Sequence, residues 1–564
     1  MAVFEEKMPR LGFLLPFFAL VFLLSFPVTE LGRQELHHNE GVYAALAQEA
    51  VFFPVKITAH GETLAHTFPL YPLLVRLLHE KMLLPMETAL RILPLGALAL
   101  LSLLVGFTCY SAGGGKEGNG MKCGAAGCAM TFATLLPAGK ILAGDPILLT
   151  TFLIYSAWMG WFGLAQIRGK WSLAWLWMGA SGVFIFWSGG FQALFYLLLP
   201  MAFLRRPLNI WKKMGHSGFA GGGLLILGGI LLWLIPRWDG VFHPIQALPS
   251  PESFTAYLGQ VFYTPLDILI RFLPWTFFLY APFCPALIAI DKNRIFSQFL
   301  RILFWGVFFI LALNPFTRGK DIFIISPLLA TLSAMYYPIA VRRHGYMLNK
   351  LLFWISLIFS CLAAGTVVLL LLPEKLWQAV SFLTGFLQAA RSPAELPTAL
   401  FFTGAAVIPG LIALTVSLRK KTLWLSITLL YTSFMLLFWG AAQPARRIHT
   451  ARKEAGSSIK KALGSYYQKG MLLYKDSMIS GLYAECFYTG TKVKTVSIDT
   501  LGQLPREKEI YFLTVRPIQP PDATRLWTNL GLIPYKKQKL YIWKGTQNVR
   551  KFTEEEEFIR NMRF

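Results

Sequence analysis

Thirteen stretches of the sequence are each apolar for long enough to cross a lipid bilayer as a helix: 11–29, 87–110, 121–138, 146–166, 172–188, 190–203, 217–235, 272–290, 300–315, 322–341, 351–373, 397–417 and 423–441. About 20 mostly apolar residues suffice, because roughly 30 Å of hydrocarbon is covered at 1.5 Å per residue. No water-soluble fold accommodates so many uninterrupted runs. Composition agrees: of 564 residues, 55% are hydrophobic and only 15% charged, against about 25% charged in soluble domains. The net charge of +24 raises the question of a nucleic-acid binder, but that class gathers its basic residues on one wet face. Here many sit in short clusters between apolar runs, so nucleic acid is not expected as a partner; membrane lipids are.

The clusters report topology, since short cytoplasmic loops collect Lys and Arg. With Lys7 and Arg10 on the cytoplasmic side, six alternate connections in a row are basic: Lys116 and Lys122; Arg168 and Lys170; Arg205, Arg206, Lys212 and Lys213; Lys292 and Arg294; Arg342, Arg343 and Lys350; Arg419, Lys420 and Lys421. The first stretch reads as a retained helix, because no small-residue cleavage site follows Pro27-Val28-Thr29. The break at Ser188-Gly189-Gly190 separates two spans. An odd number of spans then puts everything after Trp439 on the opposite, non-cytoplasmic face.

Two domains are expected. Residues 1–441 form the transmembrane bundle, with a first outer loop at 30–83. That loop contains amphipathic segments at 40–53 and 70–79, and a further interfacial helix is expected within 236–272, ending at Arg271. Residues 442–564 carry 22 Lys+Arg against 11 Asp+Glu and form a separate soluble α/β domain, helical over 446–467 and strand-like at 470–474, 509–515 and 540–543.

A charge at mid-bilayer costs about 2.5 to 3.5 kcal/mol, so ionisable groups at span ends are informative. They gather at the outer face: Glu35 and Glu40; Lys140 and Asp145; Asp267 and Arg271; Arg318, Lys320 and Asp321. Cations of this kind hold phosphate and a carboxylate takes up a proton, as transfer from a phosphate-bearing lipid requires. The six cysteines contain no Cys-x-x-Cys pair, so neither disulfide framework nor zinc site is indicated. His37 and His38 beside Glu40 leave a divalent metal ion open, at a spacing that matches no known site. A secondary transporter would show an internal repeat and midplane charges; neither is present.

Asn39-Glu40-Gly41-Val42-Tyr43-Ala44, opening a helix after the first span, resembles the Asp-Glu-x-x-Tyr-Ala motif in the first outer loop of GT-C membrane glycosyltransferases, in the branch of the aminoarabinose lipid A transferases and protein O-mannosyltransferases. Gly61-Glu62 with Phe68-Pro69-Leu70-Tyr71, Ala143-Gly144-Asp145-Pro146, Ser188-Gly189-Gly190, Pro274-Trp275, and Arg318-Gly319-Lys320 with Ile325-Ser326-Pro327 resemble further motifs of that group, in the same order. The resemblance implies a GT-C fold of about 13 transmembrane helices with a C-terminal α/β domain. It also implies transfer of a sugar from a polyprenyl-phosphate donor to a lipid, glycan or protein acceptor at the outer face of a bacterial inner membrane.

By the same resemblance Glu40, with Asn39 and Asp145, forms the catalytic set, and Tyr43, Lys140, Arg271, Arg318 and Lys320 bind substrate. The chain departs from the pattern at three charges: Asn39, Val42 and Thr67 stand where the family has Asp, Arg and Lys. Two readings follow. Either Glu40 acts as base with Asp145 beside it, or the protein is a non-catalytic relative that binds or presents a lipid-linked glycan.

Overall fold

The structure is a computed structural model that describes residues 31–547, except 33, 52–56, 63, 65–66, 116–118, 133, 135–142, 206–207, 236–253, 274, 292, 315–318, 374, 378–386, 420–422, 445–450, 480, 504–508, 516–524 and 536–537. It divides into two compact units, neither continuous in sequence: Met1–Gln34 with Arg91–Ile448, and Glu35–Leu90 with His449–Phe564. The sequence places the boundary at 441/442; the second unit also takes in most of the first outer loop.

The first unit is a bundle of apolar helices. Among the described residues eight helices are long and apolar enough to span a membrane, or nine with the bent pair Tyr257–Arg271 and Trp275–Phe283. The expected span 11–29 lies outside the described residues. Of the expected 121–138, Gly120–Phe132 is a helix, about 20 Å long, and 133 and 135–138 lie outside the described residues. The expected 272–290 is broken into the short turns Trp275–Phe278, Ala281–Phe283 and Pro285–Ile288, because Pro282 and Pro285 cannot donate within a helix. At 342–350, expected as a loop, the helix Ser326–Leu371 runs on through 46 residues, about 70 Å. No proline falls in 342–350, and its single Gly345 is a weak breaker.

The helix Trp171–Ala202 contains the expected break. Gly190 has φ 70° and ψ −156°, a backbone open to glycine and poor for other residues. Trp158 donates its indole N–H to the Leu197 carbonyl at 3.1 Å, while Trp161, one turn away, packs against Trp175 with ring centroids 5.8 Å apart. Residues 175 and 197 would stand about 33 Å apart in a straight helix. The chain therefore folds back at Gly190 into two antiparallel halves. The first half packs on Ser217–Leu234 through small residues: a Cβ on Gly222 would lie 2.5 Å from the Trp175 carbonyl oxygen, and one on Gly229 would lie 2.7 Å from Val183, the close approach used where helices associate in lipid.

The second unit is a five-stranded sheet of β1 (Leu472–Asp476), β2 (Lys492–Val496), β3 (Glu509–Thr514), β4 (Arg525–Tyr535) and β5 (Gln538–Gln547) in the order β2-β1-β3-β5-β4. β1 pairs parallel with β2 and β3, and β5 antiparallel with β3 and β4. The helices Ala451–Leu463 and Tyr483–Thr489 cover one face through Ile459, Leu463, Cys486, Leu473, Leu513 and Ile542. The other face buries Tyr474, Phe512, Trp527 and Trp543.

The first-loop helix His38–Glu49 packs on Tyr483–Thr489 within this unit. Glu35, 4% exposed, accepts the backbone N–H groups of Arg452 and Lys453 at 2.9 and 3.3 Å, placing an anion at the positive start of the helix Ala451–Leu463. Leu36 donates its N–H to the Tyr488 hydroxyl at 2.8 Å. At the closest point a Cβ on Gly41 would stand 2.5 Å from the Ala484 nitrogen. Gly41→Ala therefore overpacks a backbone contact and costs about 1–3 kcal/mol; a lower thermal midpoint and faster proteolysis of 451–547 are expected, and an unchanged midpoint contradicts the contact.

Candidate active site

Three breaks in helical structure bring polar groups together in the first unit. Asp145 stands just ahead of the helix Ile147–Phe162, and its Oδ1 accepts the Ile147 N–H at 3.0 Å. Its Oδ2 lies 2.8 Å from Lys320 Nζ, with side chains 18% and 25% exposed. Lys320 leads into the 3-10 turn Asp321–Ile325. Asp321 is 5% exposed and accepts an N–H from Gln192 at 2.8 Å; Gln192 sits two residues beyond the Gly190 break. Next to that break the hydroxyls of Thr150 and Ser188 share a 2.6 Å hydrogen bond.

A second ion pair joins Arg271 Nε to Asp267 Oδ1 at 2.6 Å, one turn apart on the helix Phe254–Arg271. The Arg271 Nη2 lies 3.7 Å from where a Cβ on Gly319 would be, so the guanidinium flanks the turn that carries Lys320. Asp145, Arg271 and Lys320 are thus gathered in one place, while Lys140 and Arg318 lie outside the described residues. A lysine and an arginine at the same turn, each held by a carboxylate, can bind a phosphate and can lend a carboxylate to a proton. Arg91, unmarked by the sequence reading, is fully buried and donates to the Leu31 and Gln34 carbonyls at 2.8 and 3.0 Å. Among the described residues no group of three or more His, Cys, Asp or Glu stands where it could hold a metal ion.

Asn39, Glu40 and Tyr43 belong to the second unit. Asn39 is exposed. Glu40 is 2% exposed, and its Oε2 accepts the His37 N–H at 2.8 Å, the return bond of a capping box at the start of its helix. Tyr43 packs edge-on against Tyr71, centroids 5.1 Å apart.

A further cluster escaped the sequence reading because its members are more than 400 residues apart. Glu49 accepts from the Thr58 hydroxyl and from the N–H groups of His60 and Gly61, at 2.7, 2.9 and 3.0 Å. This holds a tight turn closed by Ala59 and Glu62, with φ of 56° at His60 and 78° at Gly61. The His60 carbonyl accepts the Thr495 N–H of β2 at 2.8 Å. Its ring stacks on Tyr483, and its Nδ1 is buried without a hydrogen-bond partner. Burial first, and then the nearby Lys475 charge, depress the imidazole to about 3. Burial also lowers the Lys475 amine, which lies over the Tyr483 ring at 4.8 Å.

No family model matches the sequence, and no curated protein matches it. Among solved structures the chain is similar to ArnT from Cupriavidus metallidurans bound to undecaprenyl phosphate, with a TM-score of 0.66 and 14% identity over 95% of this chain and 98% of that one. The apo state of that protein matches with a TM-score of 0.66 and 13% identity over 94% and 98%. An oligosaccharyltransferase from Archaeoglobus fulgidus tethered with an acceptor peptide gives a TM-score of 0.42 and 11% identity over 86% and 64%. The likeness to ArnT shows the fold: a helical bundle with a small C-terminal sheet domain in the ArnT-like arrangement.

The His60 geometry has a signature in pH. An imidazole kept neutral down to about pH 3 takes up no proton in the fold, while the unfolded chain's histidine does so below about pH 6.5. His60's contribution to the stability of the second unit falls as pH drops from 6.5 towards 3, by at most about 1.4 kcal/mol per pH unit. His60→Asn, which tolerates the left-handed backbone, should flatten the fall in thermal midpoint between pH 7 and 5; equal slopes in variant and wild type contradict the assignment.

Proposed function

We propose that the protein is a glycosyltransferase that moves a sugar from a polyprenyl-phosphate carrier to a lipid, glycan or protein acceptor at the outer face of the inner membrane. The observation that carries this reading is the pairing of Asp145 with Lys320 beside Arg271. Its support from outside the chain is the ArnT fold, solved with undecaprenyl phosphate bound.

In this reading the acceptor oxygen attacks the sugar's anomeric carbon, the bond to the phosphate oxygen breaks, and the acceptor's proton passes to a carboxylate. Lys320 and Arg271 hold the departing polyprenyl phosphate. Asp145 is the better placed base: it is partly exposed and lies against the phosphate-binding lysine, whereas Glu40 is buried and caps its own helix. The second reading, a binder without turnover, draws on the amide at Asn39 and on that use of Glu40.

Purified full-length protein in nanodiscs, given a labelled polyprenyl-phosphate sugar and membrane lipid as acceptor, should release free carrier phosphate. Asp145→Asn should slow release by roughly 10²–10⁴-fold with the thermal midpoint unchanged. Loss of release in Glu40→Gln instead would return the base to Glu40. Wild-type binding without turnover on any sugar supports the second reading.

A further inference from the structure

Lys320 is anchored at one end and movable at the other. Asp321, the next residue, is buried and held by Gln192, which fixes the main chain of the turn. The Lys320 side chain remains 25% exposed and extends to Asp145. Asp145 in turn divides its oxygens between two duties, Oδ1 on the Ile147 N–H and Oδ2 on the ammonium. A carboxylate that keeps a bond at a helix start does not depend on the lysine for its position. The pair can part with both ends of it still placed.

We propose that Lys320 is a transferable counter-ion, passed from Asp145 to the carrier phosphate during the reaction; this rests on the glycosyl-transfer reading. The donor is a phosphodiester with one negative charge, and the departing polyprenyl phosphate is a monoester with two. As the acceptor O–H bond breaks, its proton goes to Asp145, whose neutral carboxyl no longer holds an ammonium. As the bond between the anomeric carbon and the phosphate oxygen breaks, its electron pair stays on the phosphate, which gains the second charge. The total charge is −1 before, from Asp145 anion, Lys320 cation and diester, and −1 after, from neutral Asp145, Lys320 cation and dianionic monoester. Deprotonation of the acceptor and stabilisation of the leaving group are thereby one event. Arg271 lies beside the turn at Gly319 and keeps its own partner, Asp267, so the second cation remains at the phosphate while the first changes partner.

The consequence is a gain of binding, which loss of a merely structural contact does not produce. Asp145→Asn keeps the helix cap, since Asn caps as well as Asp, and frees Lys320. Undecaprenyl phosphate binding to the full-length protein in nanodiscs, followed by tryptophan quenching, should tighten roughly fivefold in Asp145→Asn, the scale of a partly exposed ion pair. Lys320→Gln should weaken binding, and Asp145→Asn added to Lys320→Gln should bring no further change. Equal or weaker binding by Asp145→Asn, or a gain that persists without Lys320, overturns the counter-ion transfer and leaves glycosyl transfer standing. Failure of the wild-type protein to bind undecaprenyl phosphate overturns both.

Discussion

A peptide group in hydrocarbon has no water to bond to, so a chain in the membrane stays helical until something else satisfies its N–H and C=O groups. The bundle obeys this constraint, and its exceptions are instructive. At the start of Ile147–Phe162 the Asp145 carboxylate serves the first turn; around Gly190 the hydroxyls of Thr150 and Ser188 bond to each other; before the helix Ser326–Leu371 the turn is fixed through Asp321 and Gln192. At the first the side chain serves the backbone directly, at the other two polar side chains bond to each other beside the break, and three interruptions concentrate such groups. The candidate site is in this sense a by-product of where the helices stop.

That concentration also sets the electrostatics. Asp145, Asp267, Arg271 and Lys320 form two pairs of nearly balanced charge. An unpaired charge at a membrane boundary would be costly, whereas a pair that includes an accessible cation can be retained and still respond to an anionic ligand. The same logic does not extend to Glu40, whose carboxylate is committed to the backbone of its own helix.

Much of the bundle was legible in hydropathy because the bilayer imposes a length and a polarity on every span. The turn at Gly190 was legible because two adjacent glycines after a serine interrupt an apolar run. The segment 342–350 was misjudged as a loop because its basic residues signal a cytoplasmic end, while nothing in it stops a helix. In the soluble part, β1, β3 and β5 follow the apolar runs, and β2, with Lys492 and Lys494 on alternate positions of an edge strand, lacks that signal. Of the site, Asp145, Arg271 and Lys320 were marked by their position at span ends and by the motif resemblance. Their partnership was not, since the first and last are 175 residues apart. The Glu49 and His60 turn was invisible for the same reason: its docking strand is more than 400 residues away.

The discontinuous second unit bears on how the protein is made. Glu35–Leu90 leaves the ribosome about 360 residues before His449, and at 5–20 residues per second the interval is roughly 20–70 s. For that time the helix carrying Gly41 has no Ala484 to pack on, and the His60 turn has no strand to join. The order of synthesis therefore leaves the earliest-translated part of this unit without its packing partners until the last part has been made.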